Sequence, residues 1–349
     1  VSDTLNGIGL LIGGLMIPIL ALMSLGEGSF FDGLTILGTD KPEYLRVLTQ
    51  ENFEGKQVSV PWPTLLTGMM FIQIFYWSTN QVIVQRAMAA KSLAEGQKGV
   101  LFASAMKLVG PLMLCLPGII ALHMPDLEIE KQDQVYGAVV RHVLPDWSLG
   151  LFAAVLMGSI LSSFNSALNS ASTLFSLQFY KGYVNENATE IEIVSTGKKF
   201  GIILAIASII IAPLLAQLDS IFQYLQKVNG IYSVPIIAIF LLGILTKHIP
   251  ALGAKIGMIV GFVSYAYFVF FPIENFHWLH MYFISFTWSI MVMLLIGYLK
   301  PKSQKEIEIS DERDPAPVDM APWPRAKEAS IVIVAVTILI YVLLSSISA

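Results

Sequence analysis

Lys107 lies within the otherwise apolar run from Gly99 to Leu122, which is long enough to cross a bilayer. Holding an ammonium at that depth costs at least about 2.5–3.5 kcal/mol, so such a residue faces a protein interior or a watery cavity. A second apolar stretch has an unusually polar centre, Phe71-Ile72-Gln73-Ile74-Phe75-Tyr76-Trp77-Ser78-Thr79-Asn80-Gln81. These side chains compete for backbone hydrogen bonds, so the spacing predicts an interrupted helix whose freed backbone groups contact solutes and ions. A continuous helix bonded to its neighbours through the same amides is the plainer use. The rings of Tyr76 and Trp77 stack on sugar rings or other flat solutes, and they also serve as core packing.

A stripe of small polar residues follows: Ser159, Ser162, Ser163, Ser166, Asn169, Ser170 and Thr173. Spacings of three and four put them on one helix face. Close helix packing explains such a stripe. So does a hard monovalent cation, which accepts several neutral oxygens. The hydroxyls of Ser162 and Ser163 plus the carbonyl of Ser159 supply three. The span has no carboxylate of the kind divalent ions recruit, so sodium fits best. Gln226 is a further pocket candidate, while its neighbour Lys227 is expected to snorkel toward the outer interface. Asp3, at the inner edge of the first span, marks either a cation route or a solvated helix end. His277 and His280 have metal-compatible spacing, but beside Trp278 and Tyr282 they read as part of an aromatic belt.

These residues need membrane helices to hold them. The chain has 349 residues, 55% hydrophobic and 13% charged, with mean hydropathy +0.69 and net charge −4. Soluble domains carry about 25% charged residues. Nine spans are expected in an all-α polytopic protein: Leu5–Leu25, Pro63–Val84, Gly99–Leu122, Leu149–Leu174, Phe200–Ala216, Ser220–Leu245, Ala254–Phe271, Trp278–Leu299 and Ala329–Ser348. Fourteen of the 21 Lys and Arg residues fall in the connections 85–98, 177–199, 246–253 and 300–328 or at the adjoining Lys255. Only five fall in 26–62 and 123–148. Basic loops stay cytoplasmic, so the visible N-terminus is expected inside and the C-terminus outside. Short surface helices are expected in the two long outer connections, and a mobile linker over 300–328. The single cysteine, Cys115, sits inside a span and excludes a disulfide framework. The opening Val-Ser-Asp-Thr-Leu, without Met, runs straight into a span and reads as the interior of a longer sequence.

The run Tyr76-Trp77-Ser78-Thr79-Asn80-Gln81-Val82-Ile83-Val84-Gln85-Arg86, followed by Ala89-Ala90-Lys91-Ser92, resembles the sodium/glucose cotransporter branch of the solute:sodium symporter family. So do Met106-Lys107-Leu108, Leu116-Pro117-Gly118, Ser162-Ser163 leading to Leu168-Asn169-Ser170, Tyr224-Leu225-Gln226 and Phe240-Leu241-Leu242-Gly243. The resemblance implies a transporter fold of two inverted five-helix repeats, present here in part. Residues 1–25 match the last helix of the first repeat, 26–62 an extracellular loop and 63–245 the second repeat of five helices. Two additional helices over 246–299, the cytoplasmic linker 300–328 and a peripheral helix over 329–349 follow. It also implies that Ser159 (carbonyl), Ser162 and Ser163 form part of a sodium site, completed by a helix of the first repeat. Gln73, Lys107 and Gln226 match sugar contacts, Tyr76 an aromatic closing the inner side of the pocket, and Asp3 an acid on the inner sodium exit path. Trp77 and Asn80 complete the expected solute-binding set. Gln73 stands where a bacterial galactose transporter has asparagine, and Asn80 where animal members have aspartate.

The expected function is sodium-coupled symport of a small polar solute, a sugar or polyol, by alternating access. The partners are sodium, that solute and the lipid bilayer, with no nucleic acid and no cofactor besides sodium as coupling ion. Alternatives are symport of an amino acid, vitamin or organic anion, or a cation channel or membrane sensor. An enzyme is not expected, since no nucleophile–base or metal set stands out. The expected location is a cell membrane of the bacterial inner-membrane kind.

Overall fold

The computed structural model describes residues 2–46, 48, 52–53, 56–58, 60–218, 220–273, 276–303 and 319–347. The expected linker at 300–328 therefore lies largely outside the described residues, as do Ser348 and Ala349. Among the described residues, eight helices are long and apolar enough to cross a membrane. The ninth expected span, Pro63–Val84, is not one rod. A π-helical turn (Leu65–Met69) leads into α3 (Met70–Ser78), the chain breaks at Thr79–Asn80, and a short α4 (Gln81–Met88) follows.

The remaining elements are α1 (Ser2–Leu25), α2 (Phe30–Thr39), α5 (Leu93–Leu114), α6 (Leu116–Ala121), α7 (Val135–Val143), α8 (Asp146–Leu174, continued by a π-helical stretch Phe175–Val184) and α9 (Glu190–Leu215). After them come α10 (Ile221–Leu245), α11 (Ala251–Phe270), α12 (Met281–Leu299) and α13 (Ala326–Ile347). The run expected over Gly99–Leu122 begins six residues earlier and is broken near Cys115, with Pro111 before the break and Pro117 opening α6. Proline lacks the N–H that the helix ladder needs, and its ring crowds the preceding turn. The spans expected at 149–174 and 200–216 are both longer, because α8 starts at Asp146 and α9 at Glu190. A reciprocal capping box between Thr189 and Glu192 fixes the start of α9. Both long connections carry short helices, α2 and α7, as their apolar residues predict; the first also forms a two-residue antiparallel ladder, Asn52–Phe53 with Lys56–Gln57.

The chain divides into two compact units that interleave in sequence. One comprises Val1–Arg46, Leu101–Ile221 and Glu328–Ala349; the other comprises Val47–Val100 and Phe222–Lys327. The first has its core around Ile17, Ala21, Leu37, Ile120, Val139 and Phe152, where α1 meets α2, α6, α7 and α8. Gly33 lets α2 lie directly on the Leu22 carbonyl of α1, where any Cβ would collide with backbone. The second unit is built on Phe71, Ile72, Val234, Tyr265, Leu279 and Tyr282. Its closest pair is α11 with α12. Gly253, Gly257 and Gly261, one turn apart and buried, let α11 approach Ser289, Met293 and Ile296 of α12. Small residues at such spacing are how membrane helices associate when lipid offers no hydrophobic gain.

Candidate functional site

In the second unit, α3 turns Phe71, Ile72 and Phe75 into the core. Phe71 lies 4.5 Å from Phe286 and Phe75 5.7 Å from Tyr232, ring centre to ring centre. Gln73, Tyr76 and Trp77, at i, i+3 and i+4, therefore share the opposite face. Gln73 and Tyr76 are exposed, Trp77 is half-buried, and the Tyr76 and Trp77 rings meet edge to face at 6.1 Å. The face ends at a built interruption. The Phe75 carbonyl accepts from the Thr79 and Asn80 N–H groups and from the Thr79 hydroxyl, at 2.9–3.0 Å. The Ser78 hydroxyl donates to the Ile74 carbonyl at 2.5 Å. Asn80 then takes an extended conformation, and its Oδ1 caps α4 by accepting from Val82 N–H at 2.9 Å. The hydroxyls of Ser78 and Thr79 and the Asn80 Oδ1 are thus spent on ending one helix and starting the next, while the amide nitrogen of Asn80 makes no hydrogen bond among the described residues.

Gln226 of α10 approaches this face. Its Nε2 lies 3.9 Å from the Met69 sulfur, one turn before Gln73. Its backbone carbonyl accepts the Tyr282 hydroxyl at 2.5 Å. Neither Tyr282 nor Tyr265 stood out in the sequence. Tyr282 was grouped with a membrane-edge belt, yet it is fully buried, with its ring 5.1 Å from that of Tyr265. The available signal was the rule that a tyrosine deep in an apolar segment needs an acceptor for its O–H. The two histidines beside it are structural. His277 accepts from Leu279 N–H at Nδ1, so Nε2 carries the proton and donates to the Val58 carbonyl at 3.1 Å. His280 Nδ1 bonds the Thr67 hydroxyl at 2.6 Å.

In the first unit, α8 lies antiparallel to α1. Phe152 abuts Gly13, Val155 abuts Gly9 and Gly158 abuts Asn6. Continued one turn, this register brings position 3 level with Leu161 and Ser162; the Asp3 side chain is outside the described residues. Along the polar stripe of α8, the Ser159, Ser166 and Thr173 hydroxyls donate to the Val155, Ser162 and Asn169 carbonyls of their own helix at 2.8–3.0 Å. The hydroxyls of Ser162 and Ser163 make no hydrogen bond among the described residues. The Ser159 carbonyl keeps its second lone pair, since a ladder N–H occupies one of two. The stripe continues into a cavity of about 520 Å³ between α8 and α9, with Asn169, Thr173, Ser176, Glu190 and Lys198 on its walls. No three His, Cys, Asp or Glu residues gather into a metal cluster among the described residues. Lys107 is exposed on α5, and Pro111, one turn on, has no N–H to offer the Lys107 carbonyl.

The profile of the Sodium:solute symporter family matches residues 1–261. The chain belongs to the sodium:solute symporter family. It is 41% identical over 342 residues to the Escherichia coli (strain K12) protein named "Uncharacterized symporter YidK", covering 98% of this chain and 58% of that one. It is 29% identical over 291 residues to the sodium/glucose cotransporter of Vibrio parahaemolyticus, covering 78% and 53%. The sheep sodium/glucose cotransporter 1 is 32% identical over 279 residues, covering 69% and 42%. The chain therefore spans about half the length of the curated relatives it matches. Among solved structures, a substrate-bound, outward-open Na+-coupled sialic acid symporter superposes with a TM-score of 0.69 at 20% identity, over 86% of this chain and 62% of that one. The all-α transporter fold is shared with it, and family and helices together make this a multi-pass membrane protein.

Proposed function

We propose that the protein carries out sodium-coupled symport of a small polar solute, a sugar or polyol, by alternating access. The observation that carries this reading is the pair of uncommitted hydroxyls at Ser162 and Ser163, one turn after the Ser159 carbonyl and level with position 3. Three neutral oxygens on one helix face form part of a coordination shell for a monovalent cation, and Asp3 lies on its route to the cytoplasm. The solute contacts are Gln73, Tyr76, Trp77, the amide nitrogen of Asn80, Gln226 and Lys107. Amides and an ammonium donate to sugar hydroxyls, and the aromatic pair stacks on the ring face. Sodium and solute each stabilise the occluded form, so each raises the affinity for the other, and the sodium gradient drives uptake. The sodium/glucose cotransporters among the relatives support the choice of a sugar.

One observation favours a second reading. Lys107 is a full positive charge in a span, and such a residue pairs an anionic solute as readily as it bonds hydroxyls; the structural neighbour carries a sialic acid. Basic residues concentrated in alternate connections support a cytoplasmic N-terminus for this chain and placement in a bacterial inner membrane. The deciding experiment is competition for sodium-driven uptake by the full-length protein among glucose, galactose, inositol and small carboxylates, repeated with Lys107→Ala. Sugar uptake weakened about tenfold or more by Lys107→Ala supports the sugar pocket. Inhibition by carboxylates alone selects the anionic solute. Unchanged affinity in the variant removes Lys107 from the pocket.

A further inference from the structure

A second, smaller cavity lies inside the unit formed by Val47–Val100 and Phe222–Lys327. It encloses about 140 Å³ and is lined by Lys227, Tyr265, Phe268, Pro272 and Trp278, among others. Its walls are flat and apolar except at two points. The Lys227 ammonium sits 5.8 Å from the Trp278 ring centre and forms no ion pair among the described residues. The Tyr265 hydroxyl is fully buried and completes no hydrogen bond there. A buried phenol without an acceptor is destabilising, and a cation over a ring is only partly compensated. Both deficits are met by the same chemistry, a negatively charged acceptor carried on a flat apolar body.

We propose that this cavity binds a small aromatic carboxylate, whose charge pairs with Lys227, whose oxygen accepts from Tyr265, and whose ring lies against Trp278 and Phe268. The size fits a single ring with one acidic group and excludes a disaccharide. The cavity stands one residue from Gln226, and Tyr282 joins the two: its ring packs on Tyr265 and its hydroxyl holds the Gln226 carbonyl. Occupancy therefore shifts the position of Gln226 and acts as an effector of solute affinity. That second half rests on Gln226 being a solute contact; the binding itself does not.

The test uses the full-length protein in phosphatidylcholine liposomes, in potassium buffer, with radiolabelled benzoate as probe and benzamide as its neutral isostere. Saturable benzoate binding that benzamide fails to displace is expected. It should weaken at least tenfold in Lys227→Gln, persist in Lys227→Arg, weaken severalfold in Tyr265→Phe and remain intact in Gln226→Ala. Equal displacement by benzamide, unchanged binding in Lys227→Gln, or binding abolished by adding phosphatidylglycerol (a lipid-headgroup site) would overturn it. Benzoate should also change the half-saturating solute concentration at least threefold in the wild type, and not in Lys227→Gln. Benzoate binding without any such change overturns the effector role alone.

Discussion

The polar groups of α8 and those of the α10–α12 assembly are equally embedded in apolar sequence, yet they are used in opposite ways. On α8 the bonded hydroxyls turn back onto their own helix, and the hydroxyls of Ser162 and Ser163 make no hydrogen bond among the described residues. Around α11 the polar groups join different helices. The Gly261 carbonyl accepts the Ser285 hydroxyl at 2.7 Å, the Ser264 hydroxyl lies 3.2 Å from that of Ser285, and Tyr282 reaches across to the Gln226 carbonyl. Bonds between helices hold a shape. Bonds within a helix leave the shape to apolar packing, so the remaining oxygens are available to an ion. A polar stripe in a membrane helix is therefore informative about ligand binding only after its bonds have been traced.

The largest effect expected from this contrast is functional. Replacing both Ser162→Ala and Ser163→Ala removes two charge–dipole contacts worth about 1.5 kcal/mol each, so the half-saturating sodium concentration should rise about hundredfold. Thermal stability should stay unchanged, since no helix pair depends on these hydroxyls. A melting temperature that falls together with sodium affinity would erase the distinction between the two regions.

On the other side, Gly230→Ala drives a methyl into the Tyr282 and Tyr265 rings. Overpacking of that kind costs about 1–3 kcal/mol and should lower the melting temperature measurably in detergent. Gly150→Ala on α8, with open space around it, is the matched control and should be neutral or slightly stabilising.

A smaller loss, about 0.6–1.5 kcal/mol, is expected for Tyr282→Phe, which keeps the ring packing and removes only the bond to Gln226. The comparison sharpens if uptake by this variant shows a weaker solute affinity with the sodium affinity preserved. Ser285→Ala should cost least, about 0.6 kcal/mol, because Ser264 still donates to the Gly261 carbonyl. Chemical denaturation monitored by tryptophan fluorescence would rank the two variants.

Much of the fold was legible in the residues. Apolar length located the eight long helices, and the polar cluster from Ser78 to Gln81 marked where the ninth would break. The capping role of Asn80 was not legible, because an asparagine that caps a helix and one that contacts a solute look the same in sequence; the extended backbone at Asn80 shows the cap. The break near Cys115 was hidden because Pro111 and Pro117 sit in a run hydrophobic enough to pass for one rod. The interleaving of the two units was not legible. It depends on which glycine faces which neighbour, as Gly33 meets the Leu22 carbonyl and Gly261 meets Ser289, and a single sequence carries no record of such pairings. The pairing of Tyr265 with Tyr282, and of Tyr282 with the Gln226 carbonyl, is not legible for a related reason: a tyrosine's partner can lie on any neighbouring helix.

Sodium-driven uptake bears most directly on the α8 oxygens. Full-length protein in liposomes should accumulate its solute under an inward sodium gradient, and accumulation should collapse in the Ser162→Ala, Ser163→Ala variant. Equal accumulation with potassium in place of sodium, or full sodium dependence in that variant, would contradict the assignment of the stripe to the coupling ion.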